Sequence, residues 1–294
     1  MEVVGSASLA SAPSRAADFV ELSKPRITFL VVLTAAVGYA LGAPVFQTGV
    51  FLAVLCGTAL VAGGASALNQ YAEREADGRM LRTRGRPLPA GRLSPAEALA
   101  FGLAISAAGL AILAAGANLL TFALGLTALA SYVLAYTPLK RVTSLCTVVG
   151  AVPGAIPPLM GWAAARGALD RTAWALFAIL FLWQLPHFLA LAWMYREDYA
   201  RGGFPMLAVS DTEGASTGRQ ALLYSAALLP VTLAAGLFAG AGRFFLWGGL
   251  AAGLAFLAGA ALFARRREVA WARRLFLASV LYLPAVLGLM VFDR

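Results

Sequence analysis

The chain has 294 residues, of which 61% are hydrophobic and only 13% are charged. Soluble proteins carry about 25% charged residues, so this composition excludes an ordinary soluble domain and indicates an integral membrane protein. The formal net charge of +9 would suggest nucleic-acid binding in a soluble chain, so the distribution of the positive residues has to decide their role.

The predicted elements are a short tail followed by nine membrane spans. The first 20 or so residues are small and polar, so we expect a disordered cytoplasmic tail at 1–20 and a single domain at 21–294. Continuous apolar runs near the roughly 20 residues of a spanning helix predict an all-α polytopic protein and disfavour an alternating β-barrel. The predicted spans are 27–43, 50–72, 98–118, 119–139, 144–165, 172–195, 220–242, 244–264 and 275–292.

The Lys and Arg residues alternate from loop to loop. With a cytoplasmic N-terminus, only Arg166, Arg171, Arg243 and Arg294 fall outside, and the other 19 of the 23 positive residues face the cytoplasm. This asymmetry is the positive-inside signal and predicts an inner N-terminus and an outer C-terminus. It accounts for the net charge, so no nucleic-acid partner is expected.

Three polar residues follow a fixed spacing where the second predicted span ends. Asn69, Glu73 and Asp77 fall at i, i+4 and i+8, so on a helix they share one face and offer oxygen ligands suited to Mg²⁺. The alternative is a solvated helix end whose acids pair with neighbouring arginines. Asn69 disfavours it, because a polar side chain inside an apolar span is costly and usually functional.

An arginine-rich segment, RTRGRPLPAGR, follows these acids. Arg82, Arg84 and Arg86 suit a polyanion, and together with a metal ion on the acids they would neutralise a leaving diphosphate. The alternative is a headgroup anchor, which would not need acids in front of it. Lys140 and Arg141, after the fourth span, are further candidate diphosphate contacts, with a positive-inside role equally compatible.

Two more acids follow the sixth predicted span. Glu197 and Asp198 are neighbours, so their side chains point about 100° apart on a helix and only one is expected to bind a metal ion. We predict Asp198 as that ligand. An ion pair with Arg196 or Arg201 at headgroup level is equally compatible with the spacing.

The single histidine of the chain, His187, lies inside the sixth predicted span. An imidazole in a dry cavity can contact a haem iron or propionate, or accept a proton. A lone membrane histidine also serves as a hydrogen-bonding contact between helices. Both interpretations stay open on the sequence.

On these motifs the chain resembles the UbiA-type intramembrane prenyltransferases, from LSKPR at 22–26 to GGFPML at 202–207. Asn69, Glu73 and Asp77 match the first Asp-rich motif of that superfamily, which binds Mg²⁺ and a prenyl diphosphate. The WQLPHF and DYARGGFPML segments are similar to the members that act on haem. The second Asp-rich motif is incomplete, because Gly202 stands four residues after Asp198 where another Asp is common.

The resemblance implies a nine-helix bundle around a central cavity in the cell (inner) membrane. It implies transfer of a farnesyl group from farnesyl diphosphate to a vinyl group of haem B (protohaem IX), with addition of water, to give haem O. The product would pass to a haem A synthase or terminal oxidase assembly. The implied roles are Mg²⁺ binding by Asn69, Glu73, Asp77 and Asp198, diphosphate binding by Arg82, Arg84, Arg86, Lys140 and Arg141, haem binding by His187, and catalysis by Asp77, Asp198 and His187.

Two rival functions follow from the same residues. An enzyme of the same class could prenylate an aromatic quinone precursor, which needs the diphosphate site but no haem contact. A haem transporter or scaffold without chemistry is the rival from another class. The metal-binding acids weigh against it, since a scaffold has no use for a metal and diphosphate site.

Overall fold

The computed structural model describes residues 14–293, so residues 1–13 of the predicted tail and Arg294 lie outside it. In the described part every regular element is a helix, and nine helices are long and apolar enough to span a membrane, which confirms the predicted fold class. The helices are α1 Arg15–Leu22, α2 Pro25–Gly42, α3 Thr48–Arg79, α4 Pro95–Gly116, α5 Leu119–Leu139, α6 Cys146–Arg166, α7 Arg171–Met194, α8 Arg196–Gly202, α9 Leu207–Ser210, α10 Ala215–Ala239, α11 Arg243–Arg266 and α12 Val269–Phe292.

Regular structure begins earlier than the sequence predicted. Helix α1 starts at Arg15, within the stretch expected to be a disordered tail. It is held because Leu22 at its end is fully buried among Leu88, Leu93 and Ala98. The division of the chain into a tail at 1–20 and a domain at 21–294 stays a prediction.

Helix α3 is 32 residues long and continues to Arg79, beyond the predicted span. The prediction ended the span at the first charged residue, whereas the helix runs on through the acids for two further turns. The connection to α4 therefore spans residues 80–94, which we call the arginine loop. It ends at Ser94, which caps α4. The Ser94 hydroxyl oxygen accepts the Glu97 backbone N–H, and the Glu97 carboxylate accepts the Ser94 backbone N–H.

The helices α2 and α6 approach through glycines. A Cβ added to Gly161 would lie 1.9 Å from the Ala35 carbonyl oxygen, and one added to Gly38 would lie 2.1 Å from the Pro158 oxygen. Small residues allow such backbone contact between membrane helices. The N-terminal half of the bundle is therefore held by close helix contacts.

One helix irregularity and one contact between helices set the positions of side chains in the bundle. Helix α5 contains a π-helical turn at Ser131–Tyr136, followed by Pro138, which has no N–H to donate. On the other side of the bundle, helix α7 packs against α12, where the Trp183 indole donates to the Ser279 carbonyl at 2.8 Å.

Candidate active site

The three polar residues predicted on one helix face lie together at the end of α3. Asn69, Glu73 and Asp77 expose 2%, 2% and 0% of their surfaces. Their four-residue spacing stacks them on one face of α3, which we call the acid face. A buried carboxylate is costly unless a cation or hydrogen bonds compensate it, so the partners of these residues decide what they can do.

Two cations from different segments pair with the carboxylates. Lys140 Nζ, just after α5, lies 2.7 Å from Glu73 Oε1 and 2.8 Å from Oε2. Arg86 Nη1, from the arginine loop, lies 2.6 Å from Asp77 Oδ2. Burial lowers the pKa of Lys140, but the charge and hydrogen bond of Glu73, together with the nearby Tyr199 and Tyr132, outweigh it, and the net pKa lies above its ordinary value. Lys140 and Glu73 thus form an ion pair inside the protein.

Lys24 is the residue of this cluster that the sequence prediction missed. Its Nζ donates to Asn69 Oδ1 at 3.3 Å. Burial, together with the nearby Arg86, lowers the pKa of Lys24 to about 7, and an anion bound beside it would raise that pKa again. Its backbone lies in the left-handed region, with φ of 45°, which is uncommon for a residue with a side chain. The LSKPR segment was the available sequence signal.

Two carboxylate oxygens of the acid face suit a metal ion. Asp77 Oδ1 is buried without a hydrogen-bond partner, and Glu73 Oε1 lies close to Lys140 without the angles of a hydrogen bond. Hard cations such as Mg²⁺ take one or two carboxylates and complete their shell with water and phosphate oxygens. No group of three or more His, Cys, Asp or Glu side chains suited to a metal occurs among the described residues. Two carboxylates together with phosphate oxygens would be enough to hold Mg²⁺.

Asp198 lies apart from the acid face. Its carboxylate accepts the backbone N–H groups of Leu81 at 3.0 Å and Arg82 at 3.1 Å, and Arg201 at 2.6 Å. Burial raises the pKa of Asp198, but these hydrogen bonds outweigh it, so the net pKa lies below its ordinary value. Asp198 thus connects α8 to the start of the arginine loop. The neighbouring Glu197 is exposed.

The predicted diphosphate residues divide into two groups. Arg86 and Lys140 reach the acid face, as described. Arg82 is exposed and stacks over the Tyr195 ring, with its guanidinium carbon 5.1 Å from the ring centre. Arg84 is exposed, and Arg141 is exposed and donates to the Ala72 carbonyl.

His187 is partly buried on α7, against α12. Its Nδ1 is 2.6 Å from Ser279 Oγ. The imidazole stacks between Trp183 and Phe276, with ring centres at 5.2 Å and 4.6 Å. The histidine is thus held in a defined orientation by aromatic neighbours.

Comparison with known proteins identifies relatives over nearly the whole chain. The model of the UbiA prenyltransferase family matches residues 31–280. The protoheme IX farnesyltransferase of Solibacter usitatus is 50% identical over 94% of this chain and 98% of its own length. The enzyme of that name from Myxococcus xanthus is 46% identical over 97% of each chain.

Solved structures share the fold at low sequence identity. A digeranylgeranylglyceryl phosphate synthase superposes with a TM-score of 0.79 at 15% identity, covering 95% of this chain and 98% of its own. A UbiA homologue from Archaeoglobus fulgidus, bound to GPP and Mg²⁺, superposes with a TM-score of 0.69 at 18% identity, covering 93% and 99%. These similarities establish the helical architecture.

Proposed function

The chain belongs to the UbiA prenyltransferase family, and on this premise we propose that it transfers the farnesyl group of farnesyl diphosphate to a vinyl group of haem B. The carbon–oxygen bond to the diphosphate breaks and its electron pair leaves with the diphosphate. The vinyl carbon forms the new carbon–carbon bond, water adds its oxygen to the resulting cation, and a proton is released. The products are haem O and diphosphate. The names of the relatives support this acceptor.

The acid face and its cations handle the diphosphate. We propose that Asn69, Glu73 and Asp77 hold Mg²⁺, which when bound neutralises charge developing on the leaving group. Lys140 and Arg86, which pair with these carboxylates, would contact the diphosphate oxygens. Arg82, Arg84 and Arg141, which are exposed, attract the polyanion from outside the site. Arginines and lysines at close quarters bind phosphate oxygens by charge-assisted hydrogen bonds.

Lys24 completes the diphosphate site from the start of α2. Its amino group lies at the acid face beside Asn69. A bound diphosphate would place negative charge beside the Lys24 amino group and favour its protonated form. Asp198, which the sequence predicted as a metal ligand, serves in this proposal to hold the arginine loop through the Leu81 and Arg82 backbone.

His187 faces the acceptor. Its imidazole lies among aromatic side chains that suit the flat, apolar porphyrin. It either binds haem or takes up the proton of the water that ends the reaction.

The site faces the cytoplasm of a cell (inner) membrane. The excess of Lys and Arg on the connections at that end supports an inner N-terminus and an outer C-terminus. Haem O then leaves into the bilayer for a downstream haem A synthase or terminal oxidase assembly.

The observation that carries the proposal is the buried acid face with its unsatisfied carboxylate oxygens beside cations from three segments. Membranes containing the protein, farnesyl diphosphate, haem B and Mg²⁺ should yield a haem heavier by farnesyl plus water in mass spectrometry. Asp77→Asn should reduce this yield by on the order of 100-fold or more while the protein stays inserted. Undiminished turnover in that variant would reject the metal assignment.

An acceptor comparison separates the rival functions. The same membranes receive an aromatic acid of the quinone-precursor type in place of haem B. Prenylation of the aromatic acid, with haem left unchanged, would replace the proposed acceptor. Absence of Mg²⁺-dependent diphosphate release with either acceptor would favour a scaffold.

A further inference from the structure

Ser279 on α12 is a fully buried serine in the membrane-spanning part of the protein, with 0% of its surface exposed. Its hydroxyl donates to the Phe276 carbonyl oxygen at 2.5 Å, and its own carbonyl accepts the Trp183 indole N–H at 2.8 Å. The same hydroxyl oxygen lies 2.6 Å from His187 Nδ1. The serine is thus fixed from three sides.

The donors and acceptors of this contact can be assigned from chemistry. A hydroxyl has one proton, and a carbonyl oxygen can only accept. The 2.5 Å separation from the Phe276 carbonyl oxygen assigns the Ser279 proton to that oxygen, which leaves the hydroxyl oxygen as the acceptor toward His187. On this assignment the proton of the Ser279–His187 contact resides on Nδ1 of the imidazole.

The ring surroundings keep the imidazole in this orientation. It lies between Trp183 and Phe276, with interplanar angles of 27° and 31°, and Phe188 meets it edge-on at 5.4 Å. A flipped ring would place a carbon against the Ser279 hydroxyl and forfeit the hydrogen bond. Among the described residues, no hydrogen bond is made by Nε2 of this histidine.

We propose that Ser279 is a positioning residue that fixes His187 in the Nδ1–H tautomer and presents the Nε2 lone pair to the acceptor side of the reaction. A histidine held by an acceptor at one ring nitrogen is the form that binds a metal or takes up a proton at the other. Whether that lone pair binds haem iron or takes up a proton from water rests on the proposed function. The assignment of the tautomer is independent of the proposed function.

The single histidine makes the tautomer directly measurable. Protein carrying ¹⁵N-labelled histidine and no histidine tag, reconstituted in lipid bilayers, gives one pair of ring nitrogens in solid-state NMR. We expect a protonated Nδ1 and an unprotonated Nε2. In Ser279→Ala the preference should be lost and a tautomer mixture should appear. The matched control is Ser225→Ala on α10, because Ser225 is equally buried and its hydroxyl donates to the Ala221 carbonyl.

The opposite results overturn the inference. A wild-type spectrum with the proton on Nε2, or a spectrum that Ser279→Ala leaves unchanged, would remove the role of the serine. Neither result depends on whether the protein acts on haem.

A haem titration then tests what the lone pair does. Ferrous haem B is added to the purified wild type and to His187→Ala, Ser279→Ala and Ser225→Ala. If Nε2 binds iron, Ser279→Ala should weaken haem binding by about 10- to 100-fold and shift the Soret band, as loss of an outer partner does at metal sites. If Nε2 takes the water proton, haem binding should be kept and haem O formation should fall.

The variants separate two kinds of failure. A His187→Ala protein with normal haem binding and haem O formation would reject the proposed role of His187, and the NMR spectrum would still decide the tautomer. A defect in His187→Ala that Ser279→Ala does not share in any degree would overturn the positioning role.

Discussion

The charges at the end of α3 pair off in the free protein, and a bound metal ion would upset that balance. Two carboxylates, Glu73 and Asp77, pair with Lys140 and Arg86, and Lys24, whose pKa is lowered to about 7, adds a partly protonated amine. Mg²⁺ on the acid face would add two further positive charges. A buried cluster with such an excess needs an anion, and a diphosphate is the anion that one metal ion and several cationic side chains bind together.

At the residue scale, a substitution of Lys24 can be tested against a control substitution at the nearby Arg26. Lys24→Gln should raise the KM for farnesyl diphosphate about 10-fold or more, because a hydrogen bond to a charged group contributes about 1.5–3 kcal/mol. Steady-state kinetics over a range of farnesyl diphosphate concentrations measure this. Arg26→Gln removes the same charge from an exposed position and should leave the KM near its wild-type value. Equal increases in both variants would show that only the general surface charge matters.

At the scale of elements, the arginine loop is held from both sides. Asp198 in α8 binds the backbone at its start. Arg92 near its end lies 2.7 Å from both Asp18 and Glu21 of α1, and also donates to the Gly85 carbonyl. The loop that carries Arg86 is therefore a fixed part of the site.

The Asp198 contact predicts a variant that separates loop positioning from metal binding. Asp198→Asn should lower activity and thermal stability, because the backbone N–H groups of Leu81 and Arg82 lose a charged acceptor. The Mg²⁺ concentration for half-maximal activity should stay near the wild-type value. Glu73→Gln should raise that concentration.

A control variant and a contrary result complete the Asp198 experiment. Glu197→Gln, at the exposed neighbouring position, is the control and should resemble the wild type. An Asp198→Asn enzyme that needs as much additional Mg²⁺ as Glu73→Gln would instead make Asp198 a metal ligand, as the sequence predicted.

The contact between α2 and α6 predicts a stability effect far from the acid face. Gly161→Ala places a methyl group against the Ala35 backbone, so it should lower the free energy of unfolding by about 1–3 kcal/mol. Thermal unfolding in detergent micelles measures the change. Gly288→Ala is the control, since no heavy atom lies within 4 Å of its added Cβ. An unchanged melting temperature in Gly161→Ala would contradict the close packing.

At the scale of the whole molecule, local patterns predicted the fold and long-range contacts were out of reach. Apolar runs predict spanning helices because the bilayer fixes their length, and the spacing of Asn69, Glu73 and Asp77 predicts one face because a helix fixes its period. Nothing local distinguishes Arg86 from Arg84, and the LSKPR segment by itself does not say which partner Lys24 meets. Those roles depend on which segments the bundle brings together.

The nine candidate spans within residues 14–293 would place the two ends of this part of the chain on opposite sides of the membrane. Alkaline phosphatase fused after Arg294 should be active, and green fluorescent protein fused there should be dark, because the C-terminus is expected outside. Fusions after Gly203, between the sixth and seventh spans, should give the reverse pattern. A fluorescent fusion after Arg294 would contradict the proposed orientation.

The most direct measurement is an experimental structure of the protein in lipid with Mg²⁺ and a non-hydrolysable farnesyl diphosphate analogue. We expect Mg²⁺ on the oxygens of Glu73 and Asp77, and diphosphate oxygens within hydrogen-bonding distance of Lys24, Arg86 and Lys140. Density for the diphosphate elsewhere, with Glu73 still paired to Lys140 and Asp77 to Arg86, would contradict it.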